Sequence, residues 1–137
     1  MRILAIDYGD AHTGIAVSDP TGFLAGFTCT IDAHRQEVVV AEICALAKTH
    51  GAEELVLGHP VNMDGSRGPR AEKAEQLAAV LGDASGLPVV LWDERRTTID
   101  AHQILRTGGK NAKQRKKTVD AVAAALILEG YLTYRKQ

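Results

Sequence analysis

Residues 2–19 read RILAIDYGDAHTGIAVSD: an apolar run, a glycine-containing turn and a second apolar run. This pattern predicts two strands, Ile3–Ile6 and Gly14–Val17, joined by a tight turn. A further apolar run at Leu24–Thr30 extends the pair to a three-stranded antiparallel meander. Asp7 follows the first predicted strand directly, so its carboxylate can either bind the amides of the turn or reach a ligand beyond the strand end.

Strand and helix patterns alternate in the rest of the chain, which predicts an α/β domain whose sheet has a parallel portion. A loop rich in glycine and proline, residues 58–69, follows a strand, the position at which open α/β sheets bind ligands. The predicted elements are a helix over Gln36–His50, a strand at Leu55–Leu57, a helix from about Arg70 to Leu81, a strand at Val89–Trp92, a helix from about Ile99 to Leu105 and a final helix from about Thr118 to Tyr134.

The composition predicts one compact domain, residues 1–137, with 45% hydrophobic residues and a net charge of −1. Cys29 and Cys44 lack CxxC spacing, so we expect two reduced core thiols and neither a zinc site nor a disulfide framework. No apolar run approaches the roughly 20 residues that span a bilayer, and there is no signal-peptide pattern. We therefore expect a cytoplasmic protein that does not contact membranes.

Carboxylates mark three predicted element boundaries: Asp7 after the first strand, Asp93 and Glu94 after Val89–Trp92, and Asp120 at the start of the last helix. Mg²⁺ and Mn²⁺ prefer oxygen ligands, and neighbouring carboxylates repel one another unless a cation or a proton neutralises them. The three sites together favour metal-dependent phosphodiester chemistry. Strand alternation directs Asp93 and Glu94 to opposite faces, so at most one is a direct ligand.

Each acidic position also has an ordinary explanation. The pair Asp93-Glu94 is compatible with a solvated strand end that forms an ion pair with Arg95 or Arg96. Asp120 would interact favourably with the helix dipole in a first helical turn. The metal hypothesis therefore depends on convergence of the three sites in the fold.

A basic stretch precedes Asp120: Arg106–Lys117 contains six cations in twelve residues. We interpret it as a mobile loop that either keeps the protein soluble or holds substrate phosphates without reading their sequence. The candidate nucleic-acid-binding residues are Arg67, Arg70, Arg95, Lys110, Lys113, Arg115, Lys116 and Lys117.

Taken together, the motifs strongly resemble the YqgF/RuvX family over nearly the whole chain. Their order and spacing carry this resemblance more than any one of them. The matching motifs are DYG at 7–9, GIAVSD at 14–19, GHP at 58–60 with NMDG at 62–65, DER at 93–95 and KTVD at 117–120.

The resemblance implies a ribonuclease H-like fold, with a mixed five-stranded sheet flanked by helices, similar to RuvC-type Holliday junction resolvases. It implies that Asp7, Glu94 and Asp120 are catalytic and bind two Mg²⁺ or Mn²⁺ ions, with Asp93 in reserve. The expected activity is 5′-end maturation of pre-16S rRNA, with RNA in a pre-ribosomal particle as the partner. His12 departs from the family, which often has a basic residue in this loop.

Three other functions stay open at this stage. The chain could cut four-way DNA junctions, which requires two active sites and hence a homodimer, whereas end trimming can proceed in a monomer. It could bind ribosomes or nucleic acid with little turnover. The turn after Asp7 also resembles the first phosphate motif of actin-like and sugar-kinase ATPases, but no second phosphate loop accompanies it.

Overall fold

A computed structural model describes residues 1–22, 25–94 and 112–135, with only the backbone described for residues 112–120. The described strands form one five-stranded sheet in the order β3-β2-β1-β4-β5. The elements in chain order are β1 (Arg2–Asp7), β2 (His12–Ser18), β3 (Ala25–Asp32), α1 (Gln36–His50), β4 (Ala52–His59), α2 (Pro69–Ser85), β5 (Val89–Asp93) and α3 (Ala112–Arg135).

The sheet is mixed, as the sequence predicts. β1 pairs antiparallel with β2 and parallel with β4, β2 pairs antiparallel with β3, and β4 pairs parallel with β5. Parallel neighbours need a crossover connection, and α1 and α2 provide the connections that lead into β4 and β5. The carboxyl ends of β1, β4 and β5 therefore lie at one edge of the sheet.

Helices cover the sheet on two faces, each with its own apolar core. Leu4 and Ile6 of β1 lie on one face with buried residues of α1 and α2, and we call this the α1–α2 face. Ile3 and Ala5 lie on the opposite face with buried residues of α3, which we call the α3 face. All four are at most 1% exposed, so β1 is buried on both sides.

α3 is fixed to its face by aliphatic packing and by one polar contact. Ile127, Leu128 and Tyr131 are buried against the sheet, and the Tyr131 ring meets Trp92 edge-on at a centroid distance of 5.7 Å. The Tyr131 hydroxyl donates a hydrogen bond of 2.6 Å to Glu54 near the start of β4. The carboxyl-terminal part of α3 therefore lies over the amino-terminal part of β4.

The structure confirms the predicted helix at Gln36–His50, which ends at Gly51 in the left-handed conformation with φ 67°. α2 extends beyond the predicted Arg70–Leu81 because Pro69 suits a first helical position and Gly86 ends the helix. The predicted strands are confirmed, each with bounds shifted by one to three residues. Cys29 and Cys44 are free thiols, half-buried against the α1–α2 core.

The predicted loop through Lys117 is wrong for its last six residues. α3 begins at Ala112 rather than at about Thr118, so the basic segment 112–117 is helical. Alanine, lysine, glutamine and arginine all favour helix, and this local preference outweighs the repulsion between like charges that suggested a loop. The predicted helix at Ile99–Leu105 and the residues up to 111 lie outside the described part of the chain. No helix in the described ranges is both long and apolar enough to cross a membrane.

Leu128→Ala tests the docking of α3. Leu128 is fully buried, so its truncation should lower the free energy of unfolding by about 2–5 kcal/mol. Glu129→Ala, at the next and exposed position of the same helix, should stay within about 0.5 kcal/mol of the wild type. Chemical denaturation measures both, and equal effects of the two changes would contradict the docked position of α3.

Candidate active site

Two acidic side chains meet at the edge where the parallel strands end. Asp7 is the last residue of β1, and Glu94 follows β5 directly, with β4 between the two strands. The side chains are hydrogen-bonded to one another, and both residues are half-buried. The sheet therefore brings together two carboxylates that are 87 residues apart in sequence, from position 7 to position 94.

Both carboxylates lie on the α3 face. Ala5 and Trp92 both belong to the core of the α3 face. Asp7 is two residues after Ala5, and Glu94 is two residues after Trp92, so strand alternation places them on the same face. Asp93 is in register with His59 of β4 and precedes Glu94 by one position. The sequence left the choice between Asp93 and Glu94 open on strand alternation, and the structure pairs Glu94 with Asp7.

Burial, together with the charge of Glu94 and the hydrogen bond to it, raises the pKa of Asp7 to about 7, although the charge of Arg70 opposes the shift. Burial also raises the pKa of Glu94, although a hydrogen bond from Asp7 and the positive charge of Arg70 oppose that shift. Without a cation, the pair is therefore expected to retain one proton near neutrality, carried by Asp7 and donated to Glu94. A bound cation is the other way to neutralise the two charges.

Gly58 makes the close approach of Glu94 possible. It lies near the end of β4, between Asp7 and Glu94 in the sheet. A Cβ atom at this position would overlap the Glu94 Oε1 atom and lie 2.8 Å from the Ile127 Cδ1 atom. From the sequence, Gly58 is the start of a predicted loop and part of the GHP motif, and its contact with Glu94 and Ile127 cannot be recognised because both partners are distant in sequence.

Arg70 is the described cation that acts on this pair. It is exposed at the second position of α2, and its charge lowers the pKa of both Asp7 and Glu94. The predicted phosphate-binding residue Arg70 thus lies close enough to the carboxylates to influence both.

Arg67, the other described candidate, is held by a carboxylate. Its Nε atom donates a 2.7 Å hydrogen bond to Glu75 Oε2, and its Nη2 atom donates to Oε1. The same Glu75 accepts a 2.7 Å hydrogen bond from His59 Nε2 at the end of β4. These bonds lower the pKa of Glu75 to about 2. Glu75 therefore ties the loop 60–68 to β4 and α2, a role that sequence reasoning missed because the three partners are distant in sequence.

His12 contacts a carboxylate outside the Asp7–Glu94 pair. Its Nδ1 atom is 2.8 Å from Asp32 Oδ1, and the two residues are register partners between β2 and β3.

Asp120 lies in α3, one turn before the buried Ala124 and two turns before Ile127. Tyr131 lies near the start of β4, and Ile127 lies near the end of β4. The part of α3 that precedes Ile127 therefore extends past the carboxyl edge of the strands. The backbone of Asp120 is therefore on the side of the molecule where Asp7 and Glu94 meet. Its side chain, and those of Lys113, Arg115, Lys116 and Lys117, lie outside the described residues, as do Arg95 and Lys110 entirely.

Among the described side chains, no group of three or more histidine, cysteine or acidic residues has a geometry that could hold a metal ion. The pair Asp7–Glu94 supplies oxygen donors only, and its two charges repel at close range inside the protein. This donor set fits a hard divalent cation such as Mg²⁺ or Mn²⁺ and does not resemble the nitrogen and sulfur sites typical of zinc.

Comparison with known proteins adds two kinds of similarity. Residues 1–134 match a family described as "RuvX: Holliday junction resolvase". A protein of Geobacillus kaustophilus named "Putative pre-16S rRNA nuclease" is 41% identical over 138 residues, covering 99% of this chain and 100% of its own. A protein of Halothermothrix orenii with the same name is 40% identical over 137 residues, covering 100% of this chain and 98% of its own.

Among solved structures, RuvC of Thermus thermophilus in complex with a Holliday junction substrate superimposes with a TM-score of 0.66. The match covers 98% of this chain and 96% of that one at 16% identity, so it establishes a common fold, the ribonuclease H-like fold. The full-length sequence similarity, at about 40% identity, establishes more than the fold. The chain belongs to the RuvX family.

Proposed function

We propose that this protein is a metal-dependent nuclease that hydrolyses phosphodiester bonds, and that its substrate is precursor 16S rRNA at the stage of 5′-end maturation. The observation that carries the proposal is the half-buried, hydrogen-bonded pair Asp7–Glu94 at the carboxyl edge of the sheet. Two carboxylates held this close are electrostatically unfavourable when both are ionised, which makes the position suitable for a cation.

Asp7 and Glu94 would hold the ions, with Asp120 as the third ligand. Mg²⁺ or Mn²⁺ bound there would activate a water molecule and stabilise the leaving oxygen, as two-metal sites do. We assign Glu94 rather than Asp93 as the metal ligand because the Glu94 carboxylate is hydrogen-bonded to Asp7. No residue needs to act as a covalent nucleophile in this reaction.

The cations around the pair would hold the sugar-phosphate backbone. Arg70 already balances part of the negative charge of both carboxylates, so it is placed to meet a substrate phosphate beside them. The basic residues Lys113, Arg115, Lys116 and Lys117 precede Asp120 in α3 and would add affinity that depends on salt concentration. Arg67, which Glu75 holds in position, would add a further positive charge for binding the sugar-phosphate backbone.

The names of the relatives support RNA as the substrate, because proteins of about 40% identity that match the whole chain carry the name of a pre-16S rRNA nuclease. The description of the family favours a second candidate, cleavage of branched DNA as a Holliday junction resolvase. The two substrates make different demands: a junction needs two coordinated cuts from a homodimer, whereas one active site in a monomer suffices to trim RNA.

Asp7→Asn and Glu94→Gln test the nuclease and separate its substrates. Each change should slow cleavage of end-labelled single-stranded precursor RNA in Mn²⁺ by more than about 100-fold, because a charged metal ligand is lost. Asp83→Asn, an exposed acidic position in α2, is the matched control and should cleave at the wild-type rate.

A four-way DNA junction is assayed in parallel. Paired symmetrical nicks that depend on Asp7 would move the assignment to a resolvase. A wild-type protein that binds these nucleic acids and cleaves neither would refute the nuclease and leave a binding function.

The raised pKa of Asp7, about 7 against an ordinary 3.8, predicts how stability depends on pH. Between about pH 4 and pH 7 the metal-free folded state holds a proton that the unfolded chain has released, so the free energy of unfolding should fall as pH rises and then level off. Asp7→Asn should flatten this decline and be more stable than the wild type above pH 7. Mn²⁺, which competes with the proton, should stabilise the wild type more at about pH 8 than at pH 5.

Chemical denaturation across this pH range measures these effects, with Asp83→Asn again as the control that keeps the wild-type decline. Stability that increases from pH 4 to pH 7, or a decline that persists in Asp7→Asn, would contradict the proton sharing.

Gly58→Ala tests whether the geometry of the pair matters. The new methyl group would displace Glu94 or Ile127, so we expect cleavage to fall at least about tenfold and stability to fall by about 1–3 kcal/mol. Gly82→Ala is the matched control, because no atom lies within 4 Å of its Cβ position inside α2. That change should preserve cleavage and raise stability by about 0.5–1 kcal/mol. Unchanged cleavage in Gly58→Ala would show that the reaction does not depend on the position of Glu94.

A further inference from the structure

A cleft of about 330 Å³ lies beside the carboxylate pair, on the other side of the sheet edge. Its walls are the turn after β1, the start of α1 and the first turns of α2. Tyr8, which lines it, packs against the core of the α1–α2 face, whereas Asp7, one residue earlier, lies on the α3 face. A strand of substrate at Asp7 therefore needs only to cross this edge to enter the cleft.

The lining is polar and carries two cations. Arg70 and Lys73 project from successive turns of α2, and Gln76 follows them on the same stripe of the helix. His34 lies opposite, just before α1. This arrangement offers charge for a phosphate and hydrogen-bonding groups for a sugar or base.

Arg70 connects the cleft to the proposed reaction. It lines the cleft, and its charge acts on both Asp7 and Glu94. A phosphate held by Arg70 would thus be next to, and distinct from, a phosphate held at the carboxylates.

Asp10 partly neutralises the positive charge of Lys73 in the cleft. The Lys73 Nζ atom lies 3.5 Å from the Asp10 Oδ1 atom, and the side chains are 61% and 83% exposed. An exposed pair of this kind contributes little to stability, so an incoming phosphate can replace Asp10 as the partner of Lys73 at small cost.

We propose that this cleft is a subsite for one unpaired nucleotide, the unit next to the scissile phosphate in the substrate strand. The proposal rests on the proposed function and deepens it by naming the form of the substrate. A cleft of about 330 Å³ accommodates one nucleotide more readily than a base pair, so we expect the strand to be single at the position that enters the cleft. The nuclease thereby selects unpaired ends or loops over continuous duplex.

Binding without divalent cations tests the subsite separately from cleavage. Fluorescence anisotropy of a labelled single-stranded RNA hexamer should give a Kd about tenfold weaker for Lys73→Gln than for the wild type. The slope of log Kd against log salt concentration should fall by about 0.7, the value for one lost phosphate contact on a single strand. Lys48→Gln, which removes an exposed lysine in the last turn of α1, should change neither quantity.

Asp10→Asn supplies a prediction of opposite sign. Loss of this carboxylate removes a negative charge from the cleft and releases Lys73, so the hexamer should bind more tightly than it does to the wild type. The same hexamer paired with its complement should bind more weakly than the single strand, and this difference should shrink in Lys73→Gln. Adenosine monophosphate should compete only weakly, because it lacks the neighbouring phosphate at the carboxylates.

The outcomes separate the subsite from the nuclease. If cleavage depends on Asp7 but Lys73→Gln and Asp10→Asn bind the hexamer like the wild type, the subsite is refuted and the nuclease stands. If no substrate is cleaved but the two variants shift binding in opposite directions, the cleft binds a nucleotide of a single strand and the nuclease is refuted. Competition by adenosine monophosphate as strong as by the hexamer would show a site for free nucleotides and overturn the assignment to a strand.

Discussion

The central strand β1 is hydrogen-bonded to β2 and β4 and buried on both faces, and the position of the site depends on this constraint. Its side chains alternate between two cores, so a shift of one residue would exchange the apolar contacts of both faces. Because Asp7 ends this strand, its position along the sheet and the face on which its side chain lies are both fixed. The same pairing carries β4 and β5 alongside, which brings Glu94 to the position beside it.

The two carboxylates illustrate how a functional site opposes stability. Inside the edge of the sheet their charges repel, and burial deprives them of the water that would screen the repulsion. The fold nevertheless holds them together, because the apolar cores on either side stabilise the strands that carry them. Gly58 permits this arrangement by leaving space for Glu94 where any side chain would displace it.

Much of the fold could be predicted from the sequence, since the period-2 strands and the helix at Gln36–His50 depend on local patterns that tertiary contacts reinforce. The start of α3 could not, because a run of cations is compatible with a loop and with a helix, and local propensity decided in favour of the helix. At the site, strand alternation separated Asp93 from Glu94 but could not say which of them meets Asp7. That choice, like the contacts of Gly58 and Glu75, depends on residues brought together from distant elements. The motifs that resemble the RuvX family named Glu94 with Asp93 in reserve, and they did not settle the choice between the two.

Glu75 has a consequence for how the molecule responds to its surroundings. With a pKa of about 2, its carboxylate stays ionised throughout the range in which proteins work, so its contacts with Arg67 and with the end of β4 persist. At the same edge of the sheet, burial and the neighbouring Glu94 raise the pKa of Asp7 to about 7. The charge of Glu75 is therefore insensitive to acidity, whereas the charge of the pair Asp7–Glu94 is sensitive to it. A change in acidity can alter the charge of the pair while the loop 60–68 keeps its shape.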